Sequence, residues 1–419
     1  MKNNFRIAGM IVWTILLLNS PIFAVDTLSI SIRQADKTFL ERNLLLVANQ
    51  YNIGINEALT IQAKLYPNPT FSSDFNAYVP DSNKSFQIGH QGEKAFSIEQ
   101  LILMGGKRKT QIQIANSNIE LARYDFEDLL RNLKFQLHSS FYKILQSEIV
   151  LKKYDGQMLL LDSIISNYEI QSKKGNIPVK EVVRLKTVYL ELNNTRSEIA
   201  QERNDEMSKV RTLLGTTSFI NPIVQQDFLD AYSINSSEKI VDEALQNRPD
   251  IKFVQTQQAV SALNLKLQKQ LAIPDIAINA SYDQRGGAFN DQINSGISMP
   301  LPMWNRNSGN IKAARLQIKS SDAMTQQKKM EVKTEAQQAY DDFSRSLKEY
   351  KKAQQLYNSD FESVYNGISE NFQKRNISLI EFVDFIEAYN QSIAELQRIK
   401  TQFAIAAETI NYVTSKEIY

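Results

Sequence analysis

The chain has 419 residues, with 48 Lys and Arg against 46 Asp and Glu, two His, no Cys, and only 14 Gly plus 10 Pro. The near-zero net charge excludes a basic nucleic-acid binder, the 42 % hydrophobic content excludes a disordered tail, and the missing Cys excludes a disulfide scaffold, a thiolate metal site, a Cys nucleophile and a lipid-modified N-terminal cysteine. Gly and Pro together are about half as frequent as the ~12 % of an average protein, so long uninterrupted elements are expected.

Residues 1–24 read as a cleaved signal peptide: basic Lys2 and Arg6, an apolar run from Ile7 to Leu18, a polar break at Asn19-Ser20-Pro21, and small Ala24 at the end. The apolar run is short of the ~20 residues a spanning helix needs. Lys2 and Arg6 are also the whole of the +2 net charge, so the remaining chain is formally neutral.

Two units follow, 25–230 and 231–419. In the first, a helical segment enters Lys64-Leu65-Tyr66-Pro67-Asn68-Pro69. A strand is expected at 69–79, then a polar loop from Pro80 to Gly92, then a strand at 94–104. After the break Gly105-Gly106-Lys107-Arg108 comes a helix over 106–172, up to ~100 Å long at 1.5 Å per residue. The turn Lys173-Lys174-Gly175-Asn176-Ile177-Pro178 leads to a helix over 178–214. The second unit repeats the order. Lys269-Gln270-Leu271-Ala272-Ile273-Pro274 precedes strands at 274–284 and 293–303, joined by the loop Gln284 to Gln292. The break Pro302-Met303-Trp304-Asn305-Arg306-Asn307, a helix over 309–374, the turn Lys374-Arg375-Asn376-Ile377-Ser378 and a helix over 378–413 complete it. The three landmarks recur at offsets of 205, 199 and 200, the mark of an internal duplication.

Three of the strands alternate, and the one at 94–104 does so less cleanly, because Phe96, Ile98 and Ile102 share a face with Gln100. Phe71, Ser73, Phe75, Ala77 and Val79 oppose Thr70, Ser72, Asp74, Asn76 and Tyr78; Ile276, Ile278, Ala280 and Tyr282 oppose Asp275, Ala277, Asn279, Ser281 and Asp283; Ile293, Ile297, Met299 and Leu301 share a face in the last strand. One apolar and one polar face over ~10 residues is the pattern of a membrane barrel, and equally of a half-buried soluble strand. Their placement as hairpins between very long helices favours the barrel. Four strands cannot close one, because an open edge is not tolerated in lipid. Other subunits must complete it, and three copies would supply twelve strands. In the last helix Leu379, Phe382, Ile386, Tyr389, Ile393, Leu396, Lys400, Phe403, Ala407 and Ile410 step by three and four, a coiled-coil seam broken only by Lys400.

With the duplication, the segment Lys64 to Pro69 and the run Ser97-Ile98-Glu99-Gln100-Leu101-Ile102-Leu103-Met104-Gly105-Gly106-Lys107-Arg108, the sequence resembles the TolC-type outer-membrane efflux family, most of all its heavy-metal, CzcC-like branch. The resemblance covers essentially the whole chain after the leader. It implies a mostly α protein with membrane β structure: a homotrimer with a 12-stranded outer-membrane β-barrel, four strands per protomer, continued by a periplasmic α-helical coiled-coil barrel. It further implies a periplasmic adaptor at the tunnel tip, an inner-membrane pump, and passive conduction of metal cations or small toxic compounds out of the cell. Some relatives carry an N-terminal lipid; without Cys, this chain is expected to be anchored by its barrel alone.

In that family the tip turns meet the adaptor, so Lys173, Lys174, Gly175, Asn176, Lys374, Arg375, Asn376 and Ile377 are the candidate contacts, although basic residues also suit any helix C-terminus. Tyr365, Glu370, Glu381 and Asp384 lie within about two or three turns of the tip at ~5.4 Å each and are candidate gate residues. Gly105, Gly106, Lys107 and Arg108 form the strand-to-helix rim turn. There Lys107, Arg108 and Lys109 are expected to face anionic headgroups; the spacing is not that of a phosphate loop. No catalytic residue, metal site or cofactor is expected, because no nucleophile–base pair has suitable spacing and His90 and His138 stand apart. The rival reading is a secreted periplasmic coiled-coil scaffold or adaptor, which leaves the four alternating segments unexplained.

Overall fold

The computed structural model describes residues 27–80, 83–90, 92–223, 236–286, 288–357 and 360–418. The expected leader and the boundary at 230/231 lie outside these residues. In chain order the elements are β1 (Thr27–Ile30), α1 (Ile32–Arg42), α2 (Leu44–Ala63), β2 (Thr70–Phe75), β3 (Tyr78–Val79), β4 (Lys84–Ser85), β5 (Glu93–Ile102), α3 (Lys107–Lys173), α4 (Val179–Leu213), β6 (Phe219–Pro222), α5 (Ser237–Asn247), α6 (Pro249–Leu271), β7 (Ile276–Arg285), β8 (Phe289–Ser298), α7 (Ser308–Leu356), α8 (Asp360–Gln373) and α9 (Leu379–Thr414). Among the described residues no helix is long and apolar enough to cross a membrane.

Three expected elements differ. The first strand ends at Phe75, and Tyr78 and Val79 pair instead with Ser85 and Lys84 in a separate ribbon. The last strand runs over Phe289–Ser298 rather than 293–303, because Pro300 and Pro302 have no N–H for a ladder. The helix expected over 309–374 falls on two helices, α7 and α8, and residues 358 and 359 between them lie outside the described residues. The parallel pairing of β1 with β6, Thr27↔Phe219 through Ile30↔Pro222, was not expected from such short segments.

The chain forms two compact units, and neither is one of the sequence halves. The strand-bearing unit comprises the described parts of Leu45–Asn132, Ile234–Asp342 and Thr409–Tyr419. Its main sheet is antiparallel in the order β2-β5-β7-β8, with Phe71 opposite Ile98, Ile98 opposite Ala280 and Ile278 opposite Ile297. Side chains alternate between faces, so Phe71, Phe75, Phe96, Ile98, Ile278, Tyr282, Ile293 and Ile297 share one face while Thr70, Ser72, Glu99, Asn279 and Asn294 share the other. Phe96 is the centre of the apolar face, 5.6 Å from Phe75 and 6.3 Å from both Phe71 and Tyr282 by ring centroids. That face is not covered by the described residues of the chain: Phe71 is 66 % exposed and Ile293 83 %. A half-buried soluble sheet would hide it.

The hairpin unit comprises the described parts of Met1–Leu44, Leu133–Ser233 and Phe343–Glu408. Its core is built on the expected seam. Leu379, Phe382, Ile386, Tyr389, Ile393, Leu396, Phe403 and Ala407 are all buried, and Lys400 is half-buried. Phe403 stacks on Tyr350 at 4.9 Å and packs on Phe343 at 5.7 Å, tying α9 to α7. His138 of α3 lies between two carboxylates, Nε2 2.7 Å from Asp36 Oδ1 of α1 and Nδ1 3.1 Å from Glu408 Oε2 of α9. Burial alone would pull this imidazole down, but the two acids outweigh it and raise its pKa to about 9.

Candidate functional site at the helix-hairpin tip

The turn between α3 and α4 is closed by backbone geometry. Gly175 sits at φ +77°, where Gly carries no Cβ penalty. The Gly175 N–H donates to Ser172 O at 2.9 Å and the Asn176 N–H to Gln171 O at 2.9 Å, the paired bonds that end a helix through a left-handed residue. The turn between α8 and α9 repeats this in the second half of the chain. Arg375 N–H donates to Phe372 O at 3.0 Å, Asn376 N–H to Asn371 O at 2.8 Å, and Arg375 itself adopts φ +61°. The asparagine side chains repeat too: Asn176 Nδ2 donates to Gln171 Oε1 at 2.8 Å and Asn376 Nδ2 to Asn371 Oδ1 at 3.0 Å.

Lys173, Lys174, Gly175 and Asn176 are exposed, as are Lys374, Arg375 and Asn376. Ile177 and Ile377 are half-buried, and Ile377 packs on the core beneath. That core joins the two hairpins: Phe372 stacks on Phe382 at 4.1 Å and on Tyr168 at 5.8 Å, with Ile164, Ile165, Leu185 and Leu379 around them. The tip is therefore a basic, solvent-facing rim on an aromatic plug.

Tyr365 stacks on Tyr389 at 4.5 Å inside the same packing cluster rather than standing alone in solvent. Next to it Glu362 accepts from Lys153 Nζ at 2.6 Å, which holds that carboxyl below its ordinary range. Glu370 makes an exposed pair with Lys374, 3.3 Å away. Glu381 closes a capping box: it accepts the Ser378 N–H at 2.8 Å while its own N–H donates to Ser378 Oγ at 3.3 Å. The Ser378 backbone N–H, then its hydroxyl contact, hold the Glu381 pKa below the ordinary carboxylate value. Asp384 is exposed. Cross-helix pairs that sequence spacing missed, Lys153 with Glu362 and Arg196 with Asp155, bridge segments 209 and 41 residues apart, so no local pattern marks them. The Ser-x-x-Glu at 378–381 was readable as a helix start.

In the strand-bearing unit the rim turn needs a correction. Gly105 and Gly106 have φ +71° and +77°. Lys107 does not face headgroups: it is buried, and its Nζ donates to Asp275 Oδ1 at 2.7 Å and to Ile273 O at 2.6 Å. Arg108 is also engaged, donating to Lys64 O at 2.5 and 3.1 Å and lying 3.9 Å from the Tyr66 ring centroid. A buried ammonium requires a carboxylate partner, and Asp275 is supplied by the other half of the chain. Only Lys109 of the basic trio remains exposed. Among the described residues no group of three or more His, Asp or Glu side chains could hold a metal ion.

The geometry of long hairpins with basic turns and an uncovered four-stranded sheet has relatives. Residues 240–411 match the family described as "Outer membrane efflux protein". This segment is an outer membrane efflux protein domain. It runs through β7, β8 and the second tip turn. The chain is also 20 % identical over 380 residues to the cobalt-zinc-cadmium resistance protein CzcC of Cupriavidus metallidurans, across 89 % of this chain and 87 % of that one. In fold it is similar to the Campylobacter jejuni CmeC outer membrane channel (TM-score 0.74, 12 % identity, 93 % of this chain and 87 % of that one) and to CusC (TM-score 0.73, 14 % identity, 92 % of each). The chain is thus a homologue of CzcC with the TolC-like channel fold, and a component of an outer-membrane efflux channel.

Proposed function

We propose that three copies of this chain form the outer-membrane duct of a tripartite efflux system, a twelve-stranded barrel continued by a periplasmic helical tunnel, which passively conducts metal cations or small toxic compounds delivered by a periplasmic adaptor and an inner-membrane pump. The observation that carries this reading is the four-stranded sheet with an exposed apolar face and two edges, β2 and β8, that no described strand of the same chain covers. Lipid excludes such edges. A second feature points the same way. On α4, Val179, Val183 and Leu190 are 68 %, 56 % and 65 % exposed at heptad spacing, a seam that its own chain leaves open.

The tip turns, with Lys173, Lys174, Gly175 and Asn176 beside Lys374, Arg375, Asn376 and Ile377, form the adaptor contact in this reading. Tyr365, Glu370, Glu381 and Asp384 form the constriction. The chain needs no catalytic group for this role. Metal cations are the favoured cargo through the homology to CzcC, whose name specifies cobalt, zinc and cadmium.

Detergent-extracted protein is expected at the mass of a trimer, with cation-selective conductance in planar bilayers. Glu381→Gln and Asp384→Asn together should lower that selectivity or raise the open probability. Recovery in the soluble periplasm without detergent would defeat the channel reading, and unchanged conductance in the double variant would remove both carboxylates from the gate.

A further inference from the structure

The duplication relates two strand-to-helix junctions, but only one is filled within the chain. At the first, the turn after β5 packs on the segment before β7. A Cβ on Gly105 would lie 2.8 Å from Ile273 Cδ1 and 3.3 Å from Ile273 Cβ, Met104 N donates to Asp275 Oδ1, and Ile102 pairs with Ile276. The turn after β8 carries the same landmarks in the second repeat. There Trp304 occupies the place of Gly105 and is 91 % exposed, with Met303 62 % and Leu301 69 % exposed beside it. The segment before β2, which the duplication relates to the one before β7, is likewise uncovered, with Leu65 55 % and Tyr66 71 % exposed, as is Phe71 at the start of β2, 66 %.

We infer that Trp304 of one copy packs against the Leu65–Phe71 stretch of a second copy, as Gly105 packs against Ile273 within one chain. The inference rests on the trimer reading and adds its contacts. Applying the repeat offsets to the β5–β7 register pairs Leu301 with the neighbour's Phe71, Met299 with its Ser73 and Ile297 with its Phe75. Phe71, Ser73, Phe75 and Ile297 lie on the apolar face established for the sheet, and Met299 and Leu301 keep its alternation in sequence past the end of β8, a match that a slip of one residue would destroy. Trp304 lies beyond Ser298, where β8 ends, so its contact is side-chain packing beside the proposed strand pairing and not part of the ladder.

The second junction differs from the first in chemistry. Arg306 stands where Lys107 does and Thr70 where Asp275 does, so the buried ion pair has no counterpart between copies. An indole, which buries on the order of 200 Å² or more, replaces the fixed charge as the anchor. The inner junction is locked by charge and the outer one by apolar area.

The chain has no Cys, so engineered pairs report cleanly. Trp304→Cys combined with Asn68→Cys, the position equivalent to Ile273, is expected to yield covalent dimers and trimers on oxidation, and each single variant only monomer. Leu301→Cys with Phe71→Cys is the second pair, in case the first does not fold. Gly105→Cys with Ile273→Cys should close within one chain and leave the mass at monomer. Trimeric native mass without cross-links in either inter-copy pair overturns the inference and leaves the trimer reading standing; monomeric native mass of the unaltered protein overturns both. The other tryptophan of the chain, Trp13, lies in the expected signal peptide, so the fluorescence of Trp304 in the processed protein is a direct check. Protection from brominated acyl chains supports burial against a second copy, and strong quenching assigns the residue to lipid.

Discussion

At the start of α9, Leu379, Phe382 and Val383 are all buried, whereas at the equivalent start of α4 only Val182 is buried and Val179 and Val183 are more than half exposed. The rim turns show the same division: Gly105 packs against its own chain, and Trp304 is left almost fully exposed by it. At each landmark one of the two related sites is packed within the chain and the other is left outward: the second repeat supplies the packed site at the tip and the first repeat supplies it at the rim. In the proposed ring of copies this asymmetry is what association requires, because each junction that is internal in one chain has a related junction that must be external.

The lead-in helices give the comparison its sharpest test. The break between α1 and α2 is filled by Asn43 and the equivalent break between α5 and α6 by Arg248, each 3 % exposed. Asn43 Nδ2 donates to Leu213 O at 2.9 Å. Arg248 grips Asp250 at 2.7 Å and Glu335 at 2.6 Å, and these acids raise its pKa further against the effect of burial. Arg248→Met removes the closest cation from the mostly buried Asp250, leaving Arg131 at 3.9 Å and Lys328 at 4.0 Å, and should cost about 2–3 kcal/mol. Asn43→Leu, leaving one carbonyl unsatisfied, should cost about 1–3 kcal/mol. Thermal unfolding in detergent measures both, and equal losses would mean that the two breaks are energetically alike.

Next in size is His138. It is a buried charge on the long helix of the first half, and the related positions of the second half are the exposed Gln337 and Gln338. Its folded pKa is raised from 6.5 to about 9, so its contribution is fully present below pH 6.5 and is lost as pH rises through about 9. The shift corresponds to no more than about 3 kcal/mol. Unfolding midpoints measured across that window should fall for the unaltered protein and stay flat for His138→Gln. A flat profile in both would mean that Asp36 and Glu408 do not hold the proton there.

Much of this was legible in the sequence. The duplication, the strand alternation, the long helices and the seam from Leu379 to Ile410 are periodic signals, and periodicity survives without knowledge of partners. What was illegible depends on distant pairing. Lys107 looked like a surface base because Asp275, its partner, lies 168 residues away, and the strand after Asn294 looked longer because its apolar alternation continues through Leu301 although Pro300 and Pro302 end the ladder. The candidate tip was legible as two basic turns; the aromatic plug of Tyr168, Phe372 and Phe382 beneath it was not, since its members come from three helices.

The smallest differences lie in the tip turns themselves. Gly175 and Arg375 share one left-handed backbone, which costs a residue with a Cβ about 1–2 kcal/mol. Arg375→Gly should therefore leave stability unchanged or raise it by up to about 1 kcal/mol, and Gly175→Arg should lower it by a similar amount, because open space surrounds Gly175 and only the backbone opposes a side chain. The following helix starts differ as well. Ser378 and Glu381 form a capping box, whereas Pro178 has neither the N–H nor the hydroxyl to form one with Glu181. Ser378→Ala should cost about 1 kcal/mol. The lowered pKa of Glu381 means that its part of the box is present above the unfolded carboxylate value, near ~4.3, and is lost as pH falls through the folded one. A carboxyl titration of Glu381 that does not move upward in Ser378→Ala would show that the box does not hold the charge, and the two helix starts would then be equivalent after all.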